Sequence, residues 1–250
     1  LKAEAEAHLR EVVKQLQEAG LTARHVVQCG PPAEAIVGYA DQMDVRQIVM
    51  ATHGYTGPNR WTHGSVAERV LQSASVPVLL VRVREGEPSD VPQPMCCQRI
   101  LVPLDGSSRA ERALPVVTPI AQALGSEVIL FQVPIVYVSG WITGEWILPV
   151  QGVLATAEQD AQAYLSYVAT RLKQQGVSVS TATQIGAVAE CIIEHAEANR
   201  VDLIAMCTHG RTGLARWALG GIADRVLRAG GKPILLVRAQ RPHPQESKGR

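Results

Sequence analysis

Aromatic residues are few in this chain of 250: one Phe, five Tyr and four Trp. Proteins that grip single-stranded nucleic acid by stacking its bases need more of them. An excess of one charge is also lacking. The 24 Lys and Arg stand against 23 Asp and Glu, a formal net charge of +1, which provides no electrostatic footprint for nucleic acid or an acidic surface. No uninterrupted apolar stretch reaches the roughly 18 residues of a membrane span, and no basic-then-apolar leader opens the chain. Cysteines number five (Cys29, Cys96, Cys97, Cys191, Cys207), an odd count without zinc-like spacing. Such usage suits a reducing compartment, with the adjacent pair Cys96-Cys97 as reduced thiols or a redox-sensitive couple. The expectation is a cytoplasmic protein with neither nucleic-acid nor membrane partners.

Catalytic signatures are missing too. There is no Gly-Lys-Ser/Thr phosphate loop and no Gly-x-Gly-x-x-Gly fingerprint. His53 and His209 lie beside glycine-rich stretches, but spacing assigns no Ser-His-Asp or Cys-His set, so no catalytic residue is proposed.

What the chain does have is apolar content of 46% and alternating strand and helix signals, which point to α/β cores. The stretch Ile204-Ala-Met-Cys-Thr-His-Gly-Arg-Thr-Gly-Leu-Ala-Arg-Trp-Ala-Leu-Gly-Gly-Ile222 organises it. An apolar run ends at Cys207, a glycine-punctuated loop follows, and helical spacing starts near Gly220. At the carboxyl edge of an open α/β sheet, such a junction lies where ligands bind. Glycines let backbone N–H groups approach a ligand, and a helix N-terminus adds unpaired donors. That is a phosphate cradle in outline, although glycine there can equally serve only the turn.

The same loop recurs at Met50-Ala-Thr-His-Gly-Tyr-Thr-Gly-Pro-Asn-Arg-Trp-Thr-His-Gly-Ser65, offset by 156 residues (Gly54 to Gly210). The offset holds without a gap from Gly20/Gly176 through Gly30/Gly186, Glu34/Glu190, Trp61/Trp217 and Pro77/Pro233 to Arg82/Arg238. A period of domain size means a duplication rather than a solenoid. The pattern divides the chain into residues 1–83, a linker at 84–97, residues 98–239 and a disordered polar tail at 240–250.

In the first repeat the pattern predicts helices at Leu1 to Glu18, Pro32 to Asp41 and Gly64 to Ser73, and strands at Ala23 to Gln28, Val45 to Ala51 and Val76 to Val83. The second predicts strands at Arg99 onward, Glu127 to Val133, Ser178 to Gln184, Val201 to Cys207 and Pro233 to Val237. Its helices run from a Ser107 or Ser108 cap to Leu124, from Ala155 to Gln174, from Ala187 to Ala198, and after Gly220. Residues 134–154 form a long apolar connection holding Tyr137, Trp141 and Trp146, read either as a flap on its own domain or as a cover or partner contact. Leu1 corresponds to Ala157, so the first repeat has no counterpart of residues 98–156. A strand at Ala23 to Gln28 would then lack its neighbour, and the first repeat should be less stable than the second.

With Ile100-Leu-Val-Pro-Leu-Asp-Gly-Ser107 at its start and Thr208-His-Gly-x9-Gly220 near its end, the second repeat resembles the universal stress protein family; the first resembles it from its second helix onward. The resemblance implies an α/β fold: a five-stranded parallel sheet of order 3-2-1-4-5 in each of two tandem copies, helices on both faces, and pairing of copies through their last strands. It also implies a stress-response module that binds ATP as a regulatory ligand, with AMP or ADP as variants and Mg held through the phosphates. A homodimer is a further expectation.

ATP-binding members carry Gly-x2-Gly-x9-Gly followed by Ser or Thr. The matching positions are Ala51, Gly54, Gly64 and Ser65 in the first repeat and Cys207, Gly210, Gly220 and Gly221 in the second, with Ile222 beside them. Ala51 and Cys207 depart at the first glycine, and Gly221 lacks the hydroxyl. At the nucleoside end the resemblance implies Pro103, Asp105 and Val133, with Asp105 near the ribose and Val133 at the adenine. Alternatively, Asp105 merely starts a turn and Val133 is a core residue. Arg211 and Arg216 are further phosphate candidates, although Arg216-Trp217, recurring as Arg60-Trp61, reads equally as a stacked structural pair. A nucleotide-independent interaction module and a slow ATPase are the competing functions.

Overall fold

A computed structural model of the chain describes residues 2–51, 65–81, 97–134, 150–208 and 219–238. The first repeat contributes α1 (Lys2–Glu18), α2 (Pro32–Gln42), β1 (Ile48–Ala51), α3 (Ser65–Ser73) and β2 (Val78–Val81). The second opens with β3 (Arg99–Pro103), a 3-10 turn (Ala110–Ala113), α4 (Leu114–Leu124) and β4 (Glu127–Gln132). It continues with α5 (Val150–Gln174), β5 (Ser178–Thr183), α6 (Val188–Ala198), β6 (Leu203–Cys207), α7 (Gly221–Ala229) and β7 (Ile234–Val237).

One sheet runs through both repeats, in the order β1-β2-β7-β6-β3-β4-β5. This corrects the expectation of five-stranded parallel sheets: the sheet has seven strands and is mixed, because β2 and β7 pair antiparallel while every other neighbouring pair is parallel. The second repeat alone supplies the run β7-β6-β3-β4-β5. The last strands meet as the resemblance implies, with Leu79 opposite Leu235. Those two residues are 156 apart, so each is the other's counterpart and a local two-fold relates the repeats at this seam.

Side chains alternate across a strand, and two apolar layers result. On one face α2, α3, α6 and α7 pack over strands of both repeats, joining Val70, Leu80, Ile192, Ile204 and Leu236 in a single core. On the other face the 3-10 turn, α4 and α5 cover the second repeat's strands, with Val117, Leu165, Val168, Ala205 and Leu235 inside and Leu79 of β2 packed against them. Parallel strands are ordinarily buried on both faces; β1 is covered on one, and Val49 is 61% exposed.

The expected strand at Ala23 to Gln28 does not form; the segment joins no ladder. Its counterpart β5 pairs along its length with β4, and no strand among the described residues pairs with 23–28. The other differences are smaller. α5 begins at Val150, inside the stretch read as a connection, and the helix after Ser107 starts as a 3-10 turn before continuing as α4. Residues 135–149 of that connection, the 84–96 part of the linker and the 239–250 tail lie outside the described residues.

Local detail repeats more faithfully than packing does. Gly20 and Gly176 stop α1 and α5 with φ of 80° and 79°, a left-handed conformation that glycine adopts without a Cβ clash. Leu21 and Val177 then donate back to the carbonyls of Leu16 and Leu172 at 2.9 and 3.2 Å. Asp44 and Arg200, also counterparts, share φ of 49° and 51°.

Candidate functional site

The strands β3, β4 and β6 are parallel neighbours, so their carboxyl ends share one edge of the sheet. After β3 the chain passes to the face covered by α4; after β6 it passes to α7 on the opposite face. Adjacent strands whose connections leave in opposite directions open a crevice between them, where α/β proteins bind ligands.

On the β3 side, half-buried Pro103 ends the strand and Leu104 N–H donates to the Phe131 carbonyl at 2.8 Å. Asp105 follows, half-buried. Its Oδ1 accepts from Ser107 N–H at 2.9 Å, and Ser107 Oγ accepts from Ala110 N–H at 3.2 Å. The carboxylate therefore organises its own turn, and Ser107 is the residue that caps the following 3-10 turn. Gly106, between them, has φ of 80°.

On the β6 side, buried Thr208 clamps the base of the loop. Its N–H donates to Val237 O at 2.9 Å and its carbonyl accepts from Gly220 N–H at 2.7 Å. The expectation that Gly220 offers its amide to a ligand is thereby corrected, since that N–H is committed to the loop stem. The first helical bond is Asp224 N–H to Gly220 O at 3.0 Å. The amides of Gly221, Ile222 and Ala223 thus lie ahead of intrahelical bonding, at the positive end of α7. A Cβ on Gly221 would meet nothing within 4 Å, and Ile222 is exposed.

Cys207 bridges the two sides. Its buried Sγ lies 3.7 Å from the carbonyl oxygen of Ala110, across the gap from β6 to the 3-10 turn. Burial, first, pushes the thiol up to about 11, while the Ala113 backbone hydrogen bond and the charge of Arg112 oppose the rise and Asp105 adds to it. The thiol is neutral and inert at physiological pH.

Val133, at the end of β4, is buried in the core shared by both repeats. Sequence reasoning overlooked its neighbour Gln132. The Gln132 Oε1 atom is buried without a hydrogen-bond partner among the described residues, an arrangement that native folds rarely leave unless something satisfies it. A polar residue closing the apolar run 128–131 is the signal that could have marked it.

In the first repeat, Ala51 ends β1 and Ser65 opens α3, both exposed. Gly54, Gly64 and Gly210 lie outside the described residues, as do His53, His209, Arg60, Trp61, Arg211, Arg216, Trp217 and the Tyr137, Trp141 and Trp146 segment. Pro103 and Asp105 thus lie at the end of β3, Cys207 at the end of β6, and Gly220, Gly221 and Ile222 at the start of α7, with Gln132 and Val133 at the end of β4 on the same edge of the sheet.

The class these features define is an open α/β protein whose central parallel strands end along one edge of the sheet. Residues 1–82 and 97–238 both match the model of the universal stress protein family, and the chain belongs to that family. A universal stress protein of Methanocaldococcus jannaschii is 32% identical over 145 residues, 56% of this chain and 82% of the relative. One from Mycolicibacterium smegmatis is 22% identical over 244 residues, 93% of this chain and 78% of its own length. The crystal structure of an Archaeoglobus fulgidus universal stress protein superposes with a TM-score of 0.65 at 22% identity, covering 94% of this chain and 76% of that one. Among the described residues, no helix is long and apolar enough to cross a membrane.

Proposed function

We propose that the second repeat binds an adenine nucleotide, ATP or its AMP and ADP relatives, as a regulatory ligand of a stress-response module. The single observation that carries this reading is the start of α7. Three backbone amides ahead of the first helical bond stand at the lip of the β3/β6 crevice, and such a helix end favours phosphate. Asp105 on the facing turn suits a ribose hydroxyl. The buried Gln132 Oε1 is an acceptor suited to the exocyclic amine of adenine beside Val133. Magnesium, if it accompanies the nucleotide, rides on the phosphates.

Calorimetry with ATP tests the reading. Gly221→Ser adds a hydroxyl where a Cβ meets no neighbour within 4 Å, and affinity should rise about tenfold for one charge-assisted hydrogen bond gained. Asp105→Ala should weaken binding while the domain stays folded. Absence of ATP binding by both the natural chain and Gly221→Ser would overturn the proposal.

A second reading, a nucleotide-independent interaction module, is favoured by Cys207. Its thiol occupies the gap beside the 3-10 turn, at the position where ATP-binding members carry glycine. Cys207→Gly separates the two readings: a gain in ATP affinity identifies the thiol as an obstruction, and no binding by any of these chains supports the module.

A further inference from the structure

Helices α4 and α5 leave a groove between them that the nucleotide reading does not use. Its volume is about 370 Å³, within the range of small-molecule sites. Asp105, Cys207 and Gly221 are not among its lining residues, so a ligand here is independent of that reading. Leu114, Val168 and Leu172 form a buried floor. Exposed Pro115 and Pro119, about one helical turn apart on α4, form a rim that is both apolar and rigid.

The remaining wall is charged. Glu111 accepts from the Tyr164 hydroxyl at 3.1 Å and from Arg171 Nη1 at 3.0 Å, so each of its oxygens has a donor. The Arg171 side chain is 48% exposed, and its Cζ lies 5.8 Å from the centroid of the Tyr167 ring. A guanidinium carries five N–H donors; the bond to Glu111 uses one and, with the ring, orients the others. Arg112 lines the same groove. Two arginines against one glutamate leave one unmatched positive charge beside an apolar floor.

We propose that this groove binds a monocarboxylate with a short aliphatic chain. The carboxylate pairs with Arg171, whose planar fork matches it in geometry. The chain lies over Leu114, Pro115, Val168 and Leu172. A single negative charge answers the single unmatched positive one, whereas a phosphate dianion brings excess charge toward Glu111.

Calorimetry of the 250-residue chain with octanoate tests the proposal, with the methyl resonances of Leu114, Val168 and Leu172 reporting the place. Binding should be saturable, shift those methyls, and tighten about two- to fourfold per methylene from butyrate to octanoate. Arg171→Gln should weaken it at least tenfold. Glu111→Gln should tighten it severalfold, because it removes a competing carboxylate and keeps an acceptor for Tyr164. Pro115→Glu places an acid on the rim, in the first turn of α4 where the helix dipole favours it, and should abolish binding. A melting curve checks that this variant is folded; if it is not, Arg171→Gln alone decides. Inorganic phosphate and octanol should each bind at least tenfold more weakly than octanoate. The proposal is overturned by absence of octanoate binding, by binding that Arg171→Gln or folded Pro115→Glu leaves unchanged, or by phosphate or octanol binding as tightly as octanoate.

Discussion

Helices α1 and α5 carry the same stripe and meet opposite fates. Leu9, Val12 and Leu16 correspond to Leu165, Val168 and Leu172 at an offset of 156. In α5 that stripe is buried against β4 and β5; in α1, Val12 and Leu16 are 36% and 38% exposed. Helical pattern and glycine stop are intact in both, so amphipathicity specifies which face wants burial but not whether a surface exists to receive it. Secondary structure here is a local property of the chain, and stability is a property of the partner layer.

Stability measurements should break or sharpen this contrast. Leu165→Ala removes a fully buried side chain and should cost about 2–5 kcal/mol in denaturant unfolding. Leu9→Ala, the matching change, should cost less than about 0.5 kcal/mol. Equal losses would mean that α1 is packed in solution. Hydrogen exchange supplies the next test: residues 178–183 should be protected, and residues 23–28 should exchange as readily as loop amides.

Two titrations separate the repeats further. Cys207 is raised from 9.0 to about 11 by burial, so the fold favours the protonated thiol. Its contribution is complete below pH 9 and is lost as pH rises from about 9 to about 11, at most roughly 2–3 kcal/mol. Cys207→Ala should flatten that part of the stability profile. The matching residue Ala51 cannot titrate, so Ala51→Ser should leave the profile unchanged. The smallest effect belongs to His195, which stacks on Phe131 at 4.5 Å and is lowered by desolvation. A depressed histidine contributes stability above its unfolded value of about 6.5, lost as pH falls through the folded value. His195→Phe should reduce acid sensitivity slightly.

Much of this was legible in the sequence. The 156-residue offset gave the duplication, and helix boundaries marked by Gly20, Gly176 and Ser107 fell within a few residues. The strand expected at Ala23 to Gln28 failed because local sequence reports at most a tendency to pair, while pairing needs a neighbouring strand. At the site, motif spacing placed Asp105 after β3 and Cys207 and Gly221 at the end of β6 and the start of α7. It could not show that the Gly220 amide is taken by Thr208, that the Cys207 thiol reaches Ala110, or that Gln132 buries an unmatched oxygen. Each of those depends on contacts between segments with no fixed spacing in sequence.

The seam between β2 and β7 has one more consequence. When two identical subunits meet across a two-fold axis, every substitution at the contact is felt twice, and each side must stay compatible with itself. Here Leu79 faces Leu235 within a single polypeptide, so a change on one side is felt once. The contact also forms at a local concentration set by the tether, independent of how much protein the cell makes. Joining the halves thus releases each from resembling the other, and one half is free to drift toward a supporting role while its neighbour keeps the crevice.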